Sequence, residues 1–281
     1  MKTCLLTVLA LLAFAGNSVL CRLALGEGVI DAASFSSIRL VSGAIFLLLL
    51  VFLRHEKNIV LSKGSWLSAG LLFLYAVAFS YAYISVDTGT GALILFGSVQ
   101  MTMILFSLFK GNKLLAIEWL GLLVAFIGLL VLLLPGAAAP SLTAFVLMVI
   151  SGMAWAGYTL VGKGSKTPLI DTAGNFAKTL PLLVVLTMFT FDSAIITDKG
   201  MVLAIASGAI TSGLGYAIWY MVLPQLALTQ AAIIQLTVPI IAAFGGVIFT
   251  HELISQQLIV ASLLVLGGIL VVILAKRYAK S

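Results

Sequence analysis

The chain has 281 residues, of which 62% are hydrophobic and 9% are charged. Because an ordinary soluble chain carries about a quarter of charged residues, this composition excludes a soluble globular domain and indicates a protein that resides in a lipid bilayer. The net charge of +6 predicts no nucleic-acid partner, since the basic residues cluster at the ends of apolar stretches, where they report membrane topology.

Ten long apolar stretches follow one another along the chain, each long enough to cross a bilayer as a helix. The sequence therefore predicts an all-α membrane protein with ten transmembrane helices. Two of the uncharged tracts are too long for one crossing, and we place their turns at Pro135 and Pro224. The predicted spans are approximately 3–25, 32–53, 66–86, 88–109, 116–134, 141–161, 172–191, 200–220, 226–249 and 254–275.

The first five spans and the last five align with one another. Arg39 of span two corresponds to Lys178 of span seven, and Tyr81 of span three corresponds to Tyr216 of span eight, at nearly constant separation. Because five is an odd number, the second group must enter the membrane from the opposite side. We therefore predict two inverted five-helix repeats, residues 1–137 and 138–281.

Basic residues set the predicted orientation. With a cytoplasmic N-terminus, eleven of the 15 Lys and Arg residues fall in inside segments. The outside loops then hold Lys199, with Arg22 near a helix end. Because basic residues favour the cytoplasmic side, we predict that both termini are cytoplasmic.

Several motifs resemble those of the EamA family of the drug/metabolite transporter superfamily. They are the small-aromatic-Ala-Gly start of each half at 13–16 and 154–157, Arg39 early in span two, and the stretch from Ala231 to Pro239 before His251-Glu252. The resemblance covers essentially the whole chain. It implies a multi-pass carrier of the bacterial inner membrane, often an exporter of amino acids or other metabolites, with a central cavity lined by spans one, three, four, six, eight and nine.

Arg39 and Lys178 lie inside predicted spans. Each stands seven or eight residues from the start of its span, roughly 10–12 Å deep at 1.5 Å per residue. One role for them is structural or gating, in which they snorkel to the surface or neutralise carbonyl ends and acids such as Asp31 and Asp171. The other is direct contact with an anionic group of a substrate.

Three amide side chains are predicted near the middle of the membrane. Gln100 in span four, Gln235 in span nine and Asn17 in span one can each donate and accept hydrogen bonds. They either bind a substrate or join helices to one another. Ser207-Gly208 and Ser212-Gly213 in span eight indicate close helix packing or a bend.

Aromatic residues follow helical spacing in three of the spans. Such stripes line a cavity or pack helices together, and we assign them to the cavity wall because all three spans are expected there. The stripe residues are Tyr75, Phe79 and Tyr83 in span three, Trp155 and Tyr158 in span six, and Tyr216 and Trp219 in span eight.

Several kinds of site are missing from the sequence. No carboxylate lies deep in a predicted span, although a proton-coupled antiporter of cations usually needs one. The two histidines, His55 and His251, fall in loops, and no cluster has metal-ligand spacing. The serines lack His or Asp partners at membrane depth, and no phosphate-binding loop is present. We therefore predict no enzyme activity, no cofactor and no metal.

These features together predict a carrier that moves a small metabolite by alternating access. Its partners are the lipid bilayer and the metabolite, and a monomer suffices. The expected solute is neutral, zwitterionic or weakly anionic, such as an amino acid, and export is favoured only by the family resemblance. The alternatives are a channel for small solutes, a proton-coupled drug or metabolite antiporter, and a membrane enzyme or non-transporting scaffold.

Overall fold

The computed structural model of the protein describes residues 2–54, 64–111, 113–135, 139–226 and 228–278. Within these ranges the chain forms eleven α-helices, joined by short turns. They are α1 (Lys2–Gly26), α2 (Ala32–Leu53), α3 (Trp66–Tyr83), α4 (Thr88–Phe109), α5 (Ala116–Val131), α6 (Leu142–Gly162), α7 (Pro168–Thr190), α8 (Asp198–Val222), α9 (Leu228–Gln235), α10 (Val238–Phe249) and α11 (Gln256–Tyr278).

Two of these helices, α9 and α10, are the halves of one predicted span. With the two counted together as Ala231–Phe249, nine helical stretches in the described part of the chain are long and apolar enough to cross a membrane, and α5 is a shorter apolar helix. The predicted all-α fold of ten apolar helical spans is confirmed. The inverted relation between the two halves remains a prediction.

Most helix boundaries agree with the predicted ends within a few residues, and the larger differences have local causes. α7 begins at Pro168 and not at 172, because a proline in the first turn already has the helical φ and its missing N–H would have no partner there. α3 ends at Tyr83 and not at 86, because the N–H of Ser85 turns back to the carbonyl of Ala82.

The helix ends meet at two opposite ends of the bundle. At one end, the side chain of Arg22 contacts Asp87 and Glu252, and we call this the Arg22 end. At the other end, the hydroxyl of Thr3 donates to the side-chain carbonyl of Gln225 at 2.7 Å, and we call this the Thr3 end. The connections α1–α2, α3–α4, α5–α6, α7–α8 and α10–α11 lie at the Arg22 end.

The helices α5 and α11 form a pair at the side of the bundle. They pack extensively on each other, and α5 otherwise contacts α4 only lightly. Small residues allow this close approach: a Cβ added to Gly121 would lie 2.6 Å from the carbonyl oxygen of Gly268, and one added to Gly128 would lie 2.8 Å from the backbone nitrogen of Val265. The remaining helices surround the centre of the molecule.

A second close contact joins α2 to the middle of α8. The segment Ser207–Leu214 of α8 is π-helical. A Cβ on Gly208 would lie 2.1 Å from the carbonyl oxygen of Arg39, and a Cβ on Gly43 would lie 3.1 Å from the carbonyl oxygen of Gly208. The backbones of α2 and α8 therefore touch directly, which requires glycine at Gly208.

Predicted span nine is present, but its helix is interrupted for two residues. α9 ends at Gln235 and α10 begins at Val238. Pro239 causes the break, because it has no N–H to donate to the carbonyl of Gln235 and its ring crowds that carbonyl. The hydroxyl of Thr237 donates to the carbonyl of Ile234 at 2.7 Å within the turn. Irregular backbone at membrane depth is tolerated where protein or a water-filled cavity surrounds it.

Asp31 ties two loops together at the Arg22 end. Its Oδ1 accepts hydrogen bonds from the N–H groups of Ala33 and Ser34 at the start of α2, and its Oδ2 accepts one from the N–H of Ile195 at 2.9 Å. Burial opposes ionisation of this carboxyl, but the hydrogen bonds from Ser34, Ile195 and Ala33 outweigh that effect, so the pKa of Asp31 lies below its ordinary value.

We expect Asp31→Ala to lower the free energy of unfolding by about 1–2 kcal/mol, the usual cost of a lost N-cap. Because folding favours the ionised carboxyl, its contribution is present above the ordinary pKa of aspartate and is lost as the pH falls through the lowered folded pKa. The melting temperatures of wild type and variant in detergent should therefore converge at acid pH. Glu27→Gln, at the exposed ion pair with Lys199, is the control. A gap between wild type and Asp31→Ala that stays constant with pH would contradict this role.

Candidate functional site: a polar cluster inside the helix bundle

Asn17 lies at the centre of a group of polar side chains buried between helices. Its Oδ1 accepts hydrogen bonds from the hydroxyls of Ser207 at 2.7 Å and Thr211 at 3.1 Å. Its Nδ2 donates to the hydroxyl of Tyr75 at 3.4 Å. Asn17 is 5% exposed, so these polar groups sit in a low-dielectric interior where each must find a partner. Helices α1, α3 and α8 are joined at this point.

Arg39 extends the group from α2. Its Nη2 donates to the hydroxyl of Tyr75 at 3.1 Å, and its Nε donates to the hydroxyl of Ser212 at 3.3 Å. The guanidinium carbon lies 5.2 Å from the ring centroids of Tyr75 and Phe79, within range of cation–π attraction. Arg39 is 1% exposed, so it does not snorkel to the surface, and its acidic neighbour Asp31 binds backbone N–H groups instead.

The π-helical segment of α8 gathers three hydroxyl groups on one face. In an α-helix, positions five apart point about 140° away from each other, so Ser207 and Ser212 would face different neighbours. The wider π-helical turn, with its bonds from i to i+5, reduces this angle and turns both hydroxyls toward the same side. Ser207 and Thr211 therefore reach Asn17 while Ser212 reaches Arg39. The six residues Asn17, Arg39, Tyr75, Ser207, Thr211 and Ser212 form what we call the Asn17 cluster.

Aromatic rings form a continuous chain through the centre of the bundle, beside the Asn17 cluster. Neighbouring ring centroids lie between 4.7 and 6.0 Å apart. Neighbouring rings therefore pack on one another along this chain. From the Arg22 end, the chain runs Tyr83, Phe79, Tyr75, Trp155, Tyr216, Phe14 and Trp219, with Tyr158 stacked on Trp155 and Phe176 against Tyr216.

A second polar group lies toward the Thr3 end. Asn175 donates to the hydroxyl of Tyr158 at 3.3 Å and accepts a hydrogen bond from the N–H of Ser65 at 2.9 Å. The Nζ of Lys178 donates to the carbonyl of Gly64 at 2.9 Å. Lys178 thus contacts a carbonyl at the end of the bundle, as the first of its two predicted roles requires. It lies apart from the Asn17 cluster.

The structure brings together most of the predicted site residues but leaves Lys178, Gln100 and Gln235 aside. Gln100 is buried in α4, and Gln235 is the half-buried last residue of α9. Neither joins the hydrogen bonds of the Asn17 cluster. All seven predicted aromatic residues belong to the chain of rings. The residues that sequence reasoning missed are Phe14, Phe176, Asn175, Ser207, Thr211 and Ser212, of which the two serines carried a signal in their Ser-Gly pairs.

Charged side chains close the Arg22 end. Arg22 Nε lies 3.0 Å from Glu252 Oε1, and Arg22 Nη2 lies 3.3 Å from Asp87 Oδ1. Glu252 Oε2 accepts a hydrogen bond from the N–H of Thr88 at 2.8 Å. The preceding residue, His251, has a positive φ of 56°, a conformation that side chains other than glycine rarely adopt. We call Arg22, Asp87 and Glu252 the Arg22 clasp. It links α1 to the start of α4 and to the connection between α10 and α11.

The EamA-like transporter family matches residues 1–134 and 142–274 of the chain. The chain belongs to the EamA-like transporter family. It is therefore a multi-pass membrane protein and a transporter, as its sequence motifs and apolar helices predict.

Relatives of this EamA-like transporter span nearly its whole length. An uncharacterized protein of Pseudomonas aeruginosa is 48% identical over 280 residues, which cover 100% of this chain and 97% of that protein. The uncharacterized transporter YoaV of Bacillus subtilis is 24% identical over 84% of this chain and 85% of its own. A crystal structure with 16% sequence identity matches 98% of this chain and 99% of its own with a TM-score of 0.67, a likeness that shows the fold alone.

We expect Arg22→Gln to destabilise the transporter by about 2 kcal/mol, because removing one partner leaves partly buried carboxylates without their charge-assisted hydrogen bonds. The double variant Arg22→Gln/Glu252→Gln should recover part of that loss. Melting temperatures in detergent at low and high salt measure both effects. Lys199→Gln, which breaks an exposed pair with Glu27, should change stability little. Equal losses of stability in Arg22→Gln and Lys199→Gln would show that the clasp contributes no more than a surface ion pair.

Acidity gives the clasp a second readout. Burial raises the pKa of Asp87, the nearby charge of Glu252 raises it further, and Arg22 opposes both. A carboxyl with a raised folded pKa contributes stability at acid pH that is lost as the pH rises through that pKa. Without Arg22 the opposing effect disappears, so Arg22→Gln should regain stability on mild acidification more than wild type does. Parallel pH profiles of the two proteins would contradict this coupling.

Proposed function

We propose that this EamA-like transporter exports amino acids or similar small neutral, zwitterionic or weakly anionic solutes by alternating access. The observation that carries the proposal is the Asn17 cluster, a set of amide, guanidinium and hydroxyl groups buried where four helices meet. Polar groups at membrane depth mark a substrate pathway by default. The aromatic rings beside the cluster supply the apolar walls that small-molecule sites usually have.

A carrier explains the packed rings at the centre better than a channel. The rings of Tyr75, Trp155 and Tyr216 pack at centroid distances of 4.9 and 5.0 Å, and the Arg22 clasp covers one end. A channel needs a continuous pore, whereas a carrier passes through states that are closed on one side or both. The irregular backbone in α8 and between α9 and α10 supplies places where helices could bend, as discontinuous helices do in other transporters.

The orientation that we propose places the Thr3 end in the cytoplasm of a bacterium and the Arg22 end outside the inner membrane. The connections at the Thr3 end carry Arg54, Lys110 and Lys163, whereas Arg22 and Lys199 lie at the other end, and basic residues favour the cytoplasmic side. Single cysteines introduced beside Lys166 and beside Lys199, in a background without Cys4 and Cys21, test this. Labelling of the Lys166 position alone by a membrane-impermeant reagent in intact cells would overturn the orientation. Labelling of both positions would deny that α7 crosses the membrane and would overturn the inverted repeat.

Uncoupled transport is proposed over exchange with protons. Among the residues whose burial the structure describes, Glu118 is the carboxylate that is almost fully buried, and it lies at the start of α5, where it accepts a hydrogen bond from the N–H of Leu115. It is therefore a helix cap at the Thr3 end, outside the centre. Imposing a pH gradient on proteoliposomes tests this point, and uphill solute movement driven by protons would contradict it.

Counterflow in proteoliposomes tests the transport proposal. Purified protein is reconstituted in vesicles loaded with a pool of the twenty unlabelled amino acids, and uptake of the same labelled pool from outside is measured. A carrier gives a transient accumulation that saturates with concentration, whereas a channel gives neither. Vesicles without protein are the blank. Folded protein that moves no member of the pool would refute the proposed substrate class, and flux without saturation or counterflow would favour the channel.

A further inference from the structure

The positive charge of Arg39 has no acidic partner in the described part of the chain. The ion pairs there are made by Arg22 and Lys199 at the Arg22 end. Glu118, the nearly fully buried carboxylate, belongs to the α5 and α11 pair, which does not pack on α2. Among the described residues, the guanidinium is held by two hydroxyl groups and two ring faces. A buried charge in such surroundings normally requires an opposite charge.

One side of the guanidinium is left unused. Nε and Nη2 donate to Ser212 and Tyr75, while the buried Nη1 has no hydrogen-bond partner among the described residues. The geometry of arginine suits an acceptor with two coplanar oxygens, because its N–H groups form a planar fork. Nη1 is therefore the donor of Arg39 that remains to bind an oxyanion.

We infer that the solute must carry a carboxylate, which pairs with Arg39 at the Asn17 cluster. This inference rests on the proposed function and narrows its substrate class. One guanidinium pairs with one carboxylate, whereas a phosphate dianion would leave a second negative charge without a partner in a medium of low dielectric. The apolar part of the solute then packs against Tyr75, Phe79 and Trp155, and Asn17 with Ser207 offers hydrogen bonds to its remaining polar groups.

The test compares solutes that differ only in the charged group. Counterflow of the amino-acid pool is measured beside counterflow of the matching pool of amino-acid amides, which keep the ammonium group and side chain but replace the carboxylate with a neutral carboxamide. Wild type should move the amino acids about 10- to 100-fold faster, the range that a charge-assisted hydrogen bond supplies. This comparison needs no variant.

Variants then assign the preference to Arg39. Arg39→Gln should lose the preference by slowing the amino acids and sparing the amides, and Arg39→Lys, which keeps the charge without the fork, should retain part of it. Lys199→Gln removes the same charge at an exposed position and should keep the wild-type ratio. Melting temperatures in detergent establish that each variant is folded, and Arg39→Lys alone decides the assignment if Arg39→Gln does not fold.

The outcomes separate this inference from the proposed function. Equal transport of amino acids and amides by wild type would overturn the carboxylate requirement while leaving the carrier intact. If folded Arg39→Gln keeps the wild-type preference for amino acids over amides, the role of the arginine fork is overturned. The same holds if the preference of Arg39→Lys equals that of wild type. Movement of neither pool by folded wild type would overturn the proposed substrate class itself.

Discussion

Gly208→Val is expected to prevent the transporter from folding. A Cβ at this position would lie 2.0 Å from the hydroxyl of Ser42 and 2.1 Å from the carbonyl oxygen of Arg39. The hydroxyl can rotate away, but the carbonyl belongs to the backbone of α2 and moves only if α2 and α8 separate. Overpacking a tight core costs about 1–3 kcal/mol of stability. Because valine is branched and the clash is with backbone, we expect Gly208→Val to lower the free energy of unfolding by about 3 kcal/mol or more.

Two other helical glycines provide matched controls for this substitution. Cβ atoms on Gly70 in α3 and Gly267 in α11 would meet nothing within 4 Å, so valine there adds bulk without a clash and slightly improves helix propensity. The yield of monodisperse protein in detergent and its melting temperature are the measurements. Gly208→Val should be aggregated or strongly destabilised, while Gly70→Val and Gly267→Val stay close to wild type. A well-folded Gly208→Val with an unchanged melting temperature would refute the backbone contact between α2 and α8.

Asn17→Ala is expected to reduce solute exchange by at least about tenfold, the effect of about 1.4 kcal/mol. The change removes the acceptor for Ser207 and Thr211 and the donor for Tyr75, and each buried hydroxyl left without a partner costs about 1–3 kcal/mol. Thr211 keeps a second acceptor, the carbonyl of Ser207 at 2.8 Å, so the loss of stability should be smaller than the sum over the three hydroxyls.

A double-mutant cycle distinguishes a functional cluster from general loosening of the bundle. Thr211→Val removes the hydroxyl at nearly constant shape, and its effect on exchange should be far from additive with that of Asn17→Ala, because the two residues act on each other. Thr7→Val is the control on α1, since the hydroxyl of Thr7 donates to the carbonyl of Thr3 in its own helix and takes no part in the Asn17 cluster among the described residues. Additive effects of Asn17→Ala and Thr211→Val would mean that the hydrogen bond between them does not matter for transport.

The helices were largely predictable because long apolar runs in lipid have one backbone solution. The interruption of span nine was not predicted, although Pro239 is visible in the sequence. A proline in a membrane helix is often tolerated with only a kink, so the residue alone did not decide between a kinked helix and a break of two residues. The same reasoning placed Arg39 and Lys178 at similar depths, yet one turns inward and the other reaches the end of the bundle. Depth follows from counting residues, whereas direction depends on the packed neighbours.

The aromatic side of the site was predictable for a related reason. Residues spaced by three or four positions share a helix face. Tyr75 and Phe79 therefore both face the centre if either of them does. Neither Gln100 nor Gln235 belongs to an aromatic stripe that marks its helix face. Their depth in the membrane does not predict the direction in which their side chains point. Phe14 is the aromatic residue of the motif at 13–16 and corresponds to Trp155 in the second half, but no other aromatic residue shares its face of α1.

The hydroxyl groups of α8 were hidden by a change in helix type. Read as an α-helix, Ser207 and Ser212 face different directions, and their neighbouring glycines indicate packing alone. Only the direct contact of Gly208 with α2 and the wider turn of the π-helical segment bring both hydroxyls toward the centre. Such a turn results from tertiary packing, which local sequence rules do not contain.

The break before Pro239 also separates two arms that differ in how firmly they are held. α10 packs on α1 and α4, where Gly89 lies against Ala243, while α9 packs on α11. Because the ladder of backbone hydrogen bonds is interrupted at this joint, the short arm near the Thr3 end can tilt without α10 tilting by the same amount. In the alternating-access cycle that we propose, such a joint would let the Thr3 end open while the Arg22 clasp stays in place.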